Sequence, residues 1–414
     1  MFYVWMWYDC IIMPYLLNPS GRIVGVNDQE QADKLIKTQG FKQISPEEER
    51  AHILSRIKMV EEMNNTSSAT HSVFFSTVSQ GGKDGYGVAS RALIEQLRAH
   101  DIHVDTYYKE QKVAILFHNP YGIASIESPH RIIYTMFEST KIPADWGDYL
   151  KAADQVIVPS KWCQEVFKAS GIETIVVPLG YDDKIFTPHT RKIKTGGKET
   201  FTFLHYDAFN IRKGFPEVLK AFVKAFDKTE PVKMIFKTRL ETIPLPITKH
   251  EYPNIDIITG PMGDRELHKL LCDSDCFVFP SRGEGFGITP LEAMATGLPT
   301  IVPNAHGISE YFNDAYMYEV KVKETCPALY SRYKGQDVGE MVVCDIDHLA
   351  SQMRYIYEHQ KEAQEKGASA SEYVKTWTFA RTAGMLSDII NGVLVRPIDY
   401  KRNVGNVLTL EKIT

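Results

Sequence analysis

Ser281-Arg282-Gly283-Glu284-Gly285-Phe286-Gly287-Ile288-Thr289-Pro290-Leu291-Glu292 decides how this chain folds and where its chemistry lies. It sets one carboxylate, Glu284, in a glycine-rich loop and a second, Glu292, eight residues later in the first turns of a predicted helix. The apolar run Cys276-Phe277-Val278-Phe279-Pro280 ahead of it reads as a buried parallel strand. Behind it, Leu291-Glu292-Ala293-Met294-Ala295 reads as a helix that stops at Gly297, just before Pro299. Strand, glycine loop and helix start together aim backbone N–H groups at one point, a place for an anion. Gly285 and Gly287 carry no Cβ, which lets a ligand approach the main chain. Glu284 and Glu292 flank that point and suit sugar hydroxyls. The arrangement fits a nucleotide sugar, with its diphosphate on the amides of Gly285, Phe286, Gly287 and Ile288. One carboxylate would then serve the sugar and the other the ribose.

These residues resemble the Glu-x7-Glu signature of retaining glycosyltransferases with the two-domain GT-B fold, in particular the GT4 family (glycosyl transferases group 1). The flanks agree: Asp273-Ser274-Asp275-Cys276-Phe277-Val278-Phe279-Pro280-Ser281 before, Ala293-Met294-Ala295-Thr296-Gly297-Leu298-Pro299-Thr300 after. The resemblance runs from about residue 71 to 392, with its motifs in the expected order. It implies an α/β protein of two Rossmann-like doubly wound domains facing a cleft, with a small N-terminal α/β appendage.

A chain of 414 residues exceeds one ordinary core, so two or three domains are expected. Its hydrophobic fraction of 43% and charged fraction of 24% are those of a globular protein. A formal charge of −5 gives no overall basic field for nucleic acid or an anionic membrane. The six cysteines are scattered, and Cys272 and Cys276 lack a second pair at zinc spacing, so free thiols and a cytoplasmic location are expected. The apolar opening Met1 to Leu17 lacks a basic start, carries Asp9 and Pro14, and is short for a bilayer, so a strand or buried segment is expected rather than a transmembrane one.

Residues 1–70 read as an accessory segment: a strand at Gly21 to Val26, helices at Asp28 to Lys37 and from the capping box Ser45-Pro46-Glu47-Glu48 to Met63, then a polar linker at Asn64 to Thr70. Residues 71–190 read as a Rossmann-like acceptor domain, with strands at Ser72–Ser76, Val113–Phe117, Arg131–Met136, Gln155–Val158 and Thr174–Val177 and a helix at Val88–His100. Pro188 to Thr200 reads as the connection to a donor domain over 200–375. That domain is expected to carry strands at Thr202–Tyr206, Lys233–Lys237, Ile255–Ile258 and Thr300–Pro303, and helices at Pro216–Phe226, Arg265–Leu271 and His348–Lys366. A further helix spans Ala370–Ile390. The resemblance implies that the segment 376–414 holds a last helix that crosses back to the first domain.

The resemblance also distributes roles. Arg212-Lys213-Gly214 is similar to the family's basic element for the donor diphosphate, but Asp207 and Ala208 stand where relatives commonly carry another arginine. The loop Gly81 to Gly87, with Gly82 and Gly85, matches the first-domain glycine loop facing the donor. Glu138, in Tyr134-Thr135-Met136-Phe137-Glu138-Ser139, takes the place of a histidine found in many relatives. A glutamate at a cleft-facing strand end can bind an acceptor hydroxyl or take its proton. His118 is a second acceptor-side candidate, Asp182 a structural one, and Gly307 marks a turn that lies near the nucleotide in the family. Glu284, Lys213, Arg212 and Glu138 are thus the catalytic candidates, and Glu292 joins the donor-binding glycine loop.

The implied reaction moves a sugar from a nucleotide diphosphate sugar to a hydroxyl acceptor with retained anomeric configuration, and no metal or other cofactor is required. The acceptor class stays open between glycan, lipid, small molecule and modified DNA, and a homo-oligomer stays open too. The rival readings are another GT-B enzyme, a phosphorylase or an epimerase, and a non-catalytic nucleotide-sugar-binding relative.

Overall fold

Val113–Phe117 is buried at every position, as expected of a strand covered on both faces. A computed structural model of the chain describes residues 15–17, 23–25, 42–44, 72–77, 85–107, 111–194, 199–241 and 252–394. Near the start, β1 (Tyr15–Leu17), β2 (Ile23–Gly25) and β3 (Lys42–Ile44) pair as a small antiparallel sheet in the order β2-β1-β3. The helices expected at 28–37 and 45–63, the linker at 64–70 and the glycines at 81 and 82 lie outside the described residues.

The first large sheet is built from β4 (Ser72–Ser76), β5 (His103–Asp105), β6 (Val113–Phe117), β7 (His130–Tyr134), β8 (Gln155–Val158) and β9 (Ile175–Val176). All six strands are parallel, in the order β5-β4-β6-β7-β8-β9. Its helices are α1 (Gly85–Ala99), α2 (Trp146–Lys151) and α3 (Lys161–Ala169). The second sheet is also parallel, with β10 (Phe201–Tyr206), β11 (Val232–Lys237), β12 (Ile255–Ile258), β13 (Cys276–Val278), β14 (Thr300–Val302) and β15 (Tyr318–Glu319). Its order, β12-β11-β10-β13-β14-β15, reverses direction between β10 and β13. Ligands of doubly wound sheets bind outside the carboxyl ends of the strands at such a reversal. Its helices are α4 (Phe215–Ala225), α5 (Asp264–Cys272) and α6 (Ile288–Ala295). The architecture is thus two facing Rossmann-like domains, as the sequence led us to expect.

One hydrophobic cluster runs through both domains, from Val73 and Leu93 to Leu204, Phe277 and Leu291. The linker is fixed by Arg191, whose guanidinium donates to the carbonyls of Leu271, Ser274 and Thr296. The expected helix at 348–366 divides into α7 (Ile346–Glu358) and α8 (Gln360–Tyr373), with His359 at φ −119° between them. The expected helix at 370–390 is likewise broken, and α9 (Phe379–Leu394) begins only after Trp377 and Thr378. The break has a cause: the chain pairs there with Tyr181, whose N–H donates to Trp377 O while Phe379 N donates to Tyr181 O. Gly180 lies so close that a Cβ would fall 2.2 Å from the Thr378 carbonyl carbon. Beyond this crossing, Ala383, Leu386 and Ile390 of α9 share a cluster with Ala89, Leu93 and Leu97 of α1.

A hairpin that the sequence reading omits, β16 (Val322–Pro327) with β17 (Glu340–Cys344), extends from the second domain onto the first. Thr140 N donates to Glu340 O at 3.1 Å and Ser139 Oγ to Val338 O at 2.6 Å. Tyr333, Val338 and Met341 complete the first domain's outer cluster around Phe137 and Trp146.

Candidate active site

The chain leaves β10 at Tyr206, forms a short 3-10 turn at Ile211–Lys213, and enters α4 through Gly214. Asn210 caps that turn by accepting from Lys213 N at 3.1 Å. Gly214 has φ +78°, and a Cβ there would lie 2.2 Å from Pro280 O. Only glycine permits both the left-handed backbone and this approach, which presses the basic turn against the glutamate loop.

On the other side of the reversal, the loop after β13 is fastened from several directions. Arg282 N donates to Arg212 O at 2.7 Å, and the Arg282 Nε donates to the buried Glu217 of α4 at 2.9 Å. Ser281 Oγ donates to Glu284 Oε1 at 2.6 Å. The same carboxylate oxygen lies 2.8 Å from Lys213 Nζ and 3.2 Å from Arg212 Nη1. Lys213 also pairs with Asp207 at 2.9 Å, and Arg212 Nη2 lies 3.8 Å from Glu138 Oε1. Tyr330 of the hairpin donates to Glu138 Oε2 at 3.4 Å. Burial works against the charge on Glu284, yet Lys213 and then Arg212 hold its carboxyl well below the usual range. Burial likewise opposes the charge on Arg212, which Glu284 and Glu138 keep protonated.

Glu292 lies at the other end of the site, on α6, and its Oε2 accepts from Tyr206 OH. Burial pushes it up to about 8; the Tyr206 hydrogen bond opposes this, and Asp264, Asp207 and Asp182 reinforce it. Between the two glutamates runs a cleft of about 680 Å³. Glu138, Arg212, Lys213, Glu284, Ile288 and Glu292 line it, facing Gly85 and Tyr86 at the start of α1. Phe286 and Gly287 also reach the cleft, although the Phe286 ring is buried against Tyr311 and Trp377.

Two residues stand differently from the sequence reading. Gly285 is apart from the cleft lining: a Cβ there would strike Met136 at 2.5 Å, and its carbonyl accepts from Ser160 Oγ at 2.8 Å. The missing side chain makes room for Met136 of the first domain. His118 is also apart from the lining, with Asn119 Nδ2 at 2.5 Å from its Nδ1 and its ring 4.8 Å from Tyr86. Gly82 lies outside the described residues. Among the described residues, no three His, Cys, Asp or Glu side chains gather as for a metal ion.

Three contributors are not among the site residues expected from the sequence. Tyr206 reads as an ordinary strand aromatic. Tyr330 belongs to the hairpin that the apolar pattern does not mark. His306 adopts φ +44°, and its Nε2 donates to Ser281 O at 3.0 Å, leaving Nδ1 without a partner. Burial lowers its pKa to about 4, so it props the loop as a neutral ring. Beside it, Gly307 N donates to Glu284 O at 2.8 Å.

Residues 187–325 match the family model described as glycosyl transferases group 1. A candidate glycosyltransferase of Sulfolobus islandicus filamentous virus is 24% identical over 232 residues, covering 54% of this chain and 74% of that protein. Sucrose-phosphate synthase from Thermosynechococcus elongatus has a similar structure, with TM-score 0.59 and 14% identity over 78% of this chain and 98% of that one. HepE from Anabaena, solved in complex with UDP-glucose, matches with TM-score 0.55 and 12% identity over 78% and 99%. At such identities the structural likeness establishes the fold, and with the family match it supports a GT-B glycosyltransferase.

Proposed function

We propose that this chain is a retaining, GT4-type glycosyltransferase that moves a sugar from a nucleotide diphosphate sugar to an acceptor hydroxyl. The observation that carries this reading is the meeting of Lys213, Arg212 and the ionised Glu284 at the sheet's reversal point, in a cleft between two domains. HepE, a protein of this fold, was solved with UDP-glucose, which makes a uridine diphosphate sugar the first donor to test.

In this reading the donor's diphosphate lies against Lys213, Arg212 and the amides at the start of α6. The bond between the anomeric carbon and the diphosphate oxygen breaks, and its electron pair stays on the diphosphate. The acceptor oxygen bonds to that carbon on the same face, and its proton passes to the departing phosphate. Two cations aimed at the leaving group stabilise the charge that develops there, so the reaction requires no metal. Glu284 is already tied to Lys213, Arg212 and Ser281, which suits holding sugar hydroxyls and not attack on the sugar. Glu138 faces the acceptor side, and Glu292 serves the ribose.

Among the described residues no helix is long and apolar enough to cross a membrane. The free thiols at Cys163, Cys272, Cys276, Cys326 and Cys344 support a reducing compartment such as the cytoplasm.

The test is ligand-observed NMR with UDP-, GDP-, ADP- and dTDP-sugars, followed by release of the nucleoside diphosphate over time. The reading expects one donor class to bind and turn over, and Lys213→Ala to slow release about 10²–10³-fold. Binding without release in the presence of varied acceptors would favour a non-catalytic relative; binding of none would overturn the reading.

A further inference from the structure

The β16–β17 hairpin is one element seated in two cores. At its root, Cys344 shares the second domain's cluster with Val278 and Val320. Toward its tip, Ala328, Tyr333, Val338 and Met341 lie in the first domain's cluster with Phe137, Ile142 and Trp146. The Phe137 ring stands 5.3 Å from that of Tyr330 and 5.8 Å from that of Tyr333. An arm of the second domain thus supplies apolar side chains to the first, and withdrawing it would return them and Phe137 to water.

Polar contacts fix the register of this seating. Besides the bond from Thr140 N to Glu340 O, Glu340 N donates to Thr140 Oγ1 at 2.8 Å. The Ser139 hydroxyl bond to Val338 O is buried. The Lys141–Asp337 pair, at 2.7 Å, is exposed and adds little. Gly339, at φ +76°, allows the close approach: a Cβ there would lie 2.4 Å from Thr140 Oγ1 and 2.7 Å from Lys141 N. On its other side the hairpin is fastened to the glutamate loop. Val342 N donates to Arg282 O at 2.9 Å, and Arg282 Nη1 lies 3.8 Å from Cys326 Sγ.

Position decides what these contacts do. The crossing segments of the chain bridge at Tyr181 and Thr378, just after β9, so a rotation of the domains pivots there. The hairpin grips the segment after β7, two places from β9 in the sheet order, roughly 10 Å away at the spacing of adjacent strands. A contact on the pivot permits rotation, whereas one displaced from it resists opening.

We propose that the β16–β17 hairpin is a clasp: by gripping residues 138–141 of the first domain while bound to the Arg282 loop of the second, it holds the Glu284 end of the cleft shut without a ligand. Glu138, Arg212 and Glu284 are then assembled before any substrate arrives. The inference stands apart from the choice of donor.

The test uses the full chain without nucleotide and reads hydrogen exchange amide by amide. In the wild type, the amides of Thr140 and Glu340, one from each domain, should be protected and exchange at matching rates, because a single undocking frees both. Gly339→Ala should speed both by roughly 10–100-fold, as for an overpacked contact. Val342, bonded within the second domain, and the β6 strand should keep their protection. Thr140→Val leaves the hairpin's own turn untouched and removes one acceptor, so it should speed the same two amides severalfold. Small-angle X-ray scattering separates a loosened arm from loosened domains: the radius of gyration should rise in Gly339→Ala. Wild-type amides of Thr140 and Glu340 that exchange like an open loop would overturn the proposal. So would freed amides with an unchanged scattering curve, since other contacts would then hold the domains. Loss of protection in β6 as well would reduce the hairpin to a piece of the first domain's core and overturn the clasp.

Discussion

Glu284 and Glu292 are two buried carboxyls on one loop and helix, only 6% and 4% exposed, yet their surroundings drive their charge in opposite directions. Around Glu284 the neighbouring turn supplies Lys213 and Arg212, and the loop itself supplies the Ser281 hydroxyl. Around Glu292 the nearest elements supply a phenol and three carboxylates. Burial penalises ionisation equally at both ends; what differs is whether a cation offsets it. The cleft is therefore polarised along its length, with fixed charge at the end assigned to the leaving group and a titratable acid at the end assigned to the ribose.

The most severe way to break that contrast is Lys213→Ala. Lys213 Nζ is shared by Glu284 and Asp207, so its loss leaves two mostly buried carboxylates facing each other. Removing one partner of a buried ion pair destabilises by about 3–5 kcal/mol, to be read from urea unfolding. Turnover of the donor should fall about 10²–10³-fold, the size seen when one preorganised charge-stabilising donor is lost. Near-normal stability and turnover would show that Arg212 alone maintains the charged end. Lys213→Arg separates the two effects: it should recover most of the stability and less of the turnover, because the fork of a guanidinium does not reproduce a point charge.

Gly307→Ala disturbs the same end without touching a charge. A Cβ there would fall 2.2 Å from the Gly285 carbonyl carbon, so one backbone segment must shift. The Gly307 N–H that holds the Glu284 carbonyl moves with it. Overpacking of this kind costs about 1–3 kcal/mol, and donor turnover should drop while nucleotide binding at the Glu292 end is retained. Full activity would mean that Glu284 does not depend on this prop for its position.

The sequence exposes the two ends unequally, for reasons these residues make plain. The strands buried on both faces, such as Val113–Phe117 and Phe201–Tyr206, are legible because their apolar runs are local. The glutamate loop is legible because its glycines and carboxylates are consecutive. Arg212-Lys213 is visible as a basic pair, but its pairing with Asp207, Glu138 and Glu284 depends on three separate segments. Tyr206 and Glu292 meet across 86 positions, and nothing in either neighbourhood announces the other. The hairpin that brings Tyr330 to Glu138 is hidden for a different reason. Val322–Pro327 is exposed at nearly every residue, so it lacks the alternation that marks a half-buried strand. The glycines announce least about their neighbours, since the space beside Gly283 and Gly285 is filled by Glu138 O and Met136 of the first domain.

The subtlest probe of the contrast is Glu292→Gln, read through pH. A carboxyl whose folded pKa is about 8 keeps its proton in the folded state where the unfolded chain, near 4.5, has lost it. Between those values the folded state binds more protons, so wild-type stability falls as pH rises, by up to about 1.4 kcal/mol per pH unit for one proton. Below pH 4.5 both states are protonated and Glu292 adds no slope. Glutamine has no proton to lose and can still accept from Tyr206, so it should remove this slope while leaving packing almost unchanged. The expected result is a mutant melting temperature equal to the wild type's near pH 5 and a few degrees above it by pH 8. A difference of the same sign and size at both pH values would reflect packing alone. A mutant that melts lower at pH 8 would mean that the ionised Glu292 is stabilised by the fold, and the two ends of the cleft would then hold like-charged carboxylates.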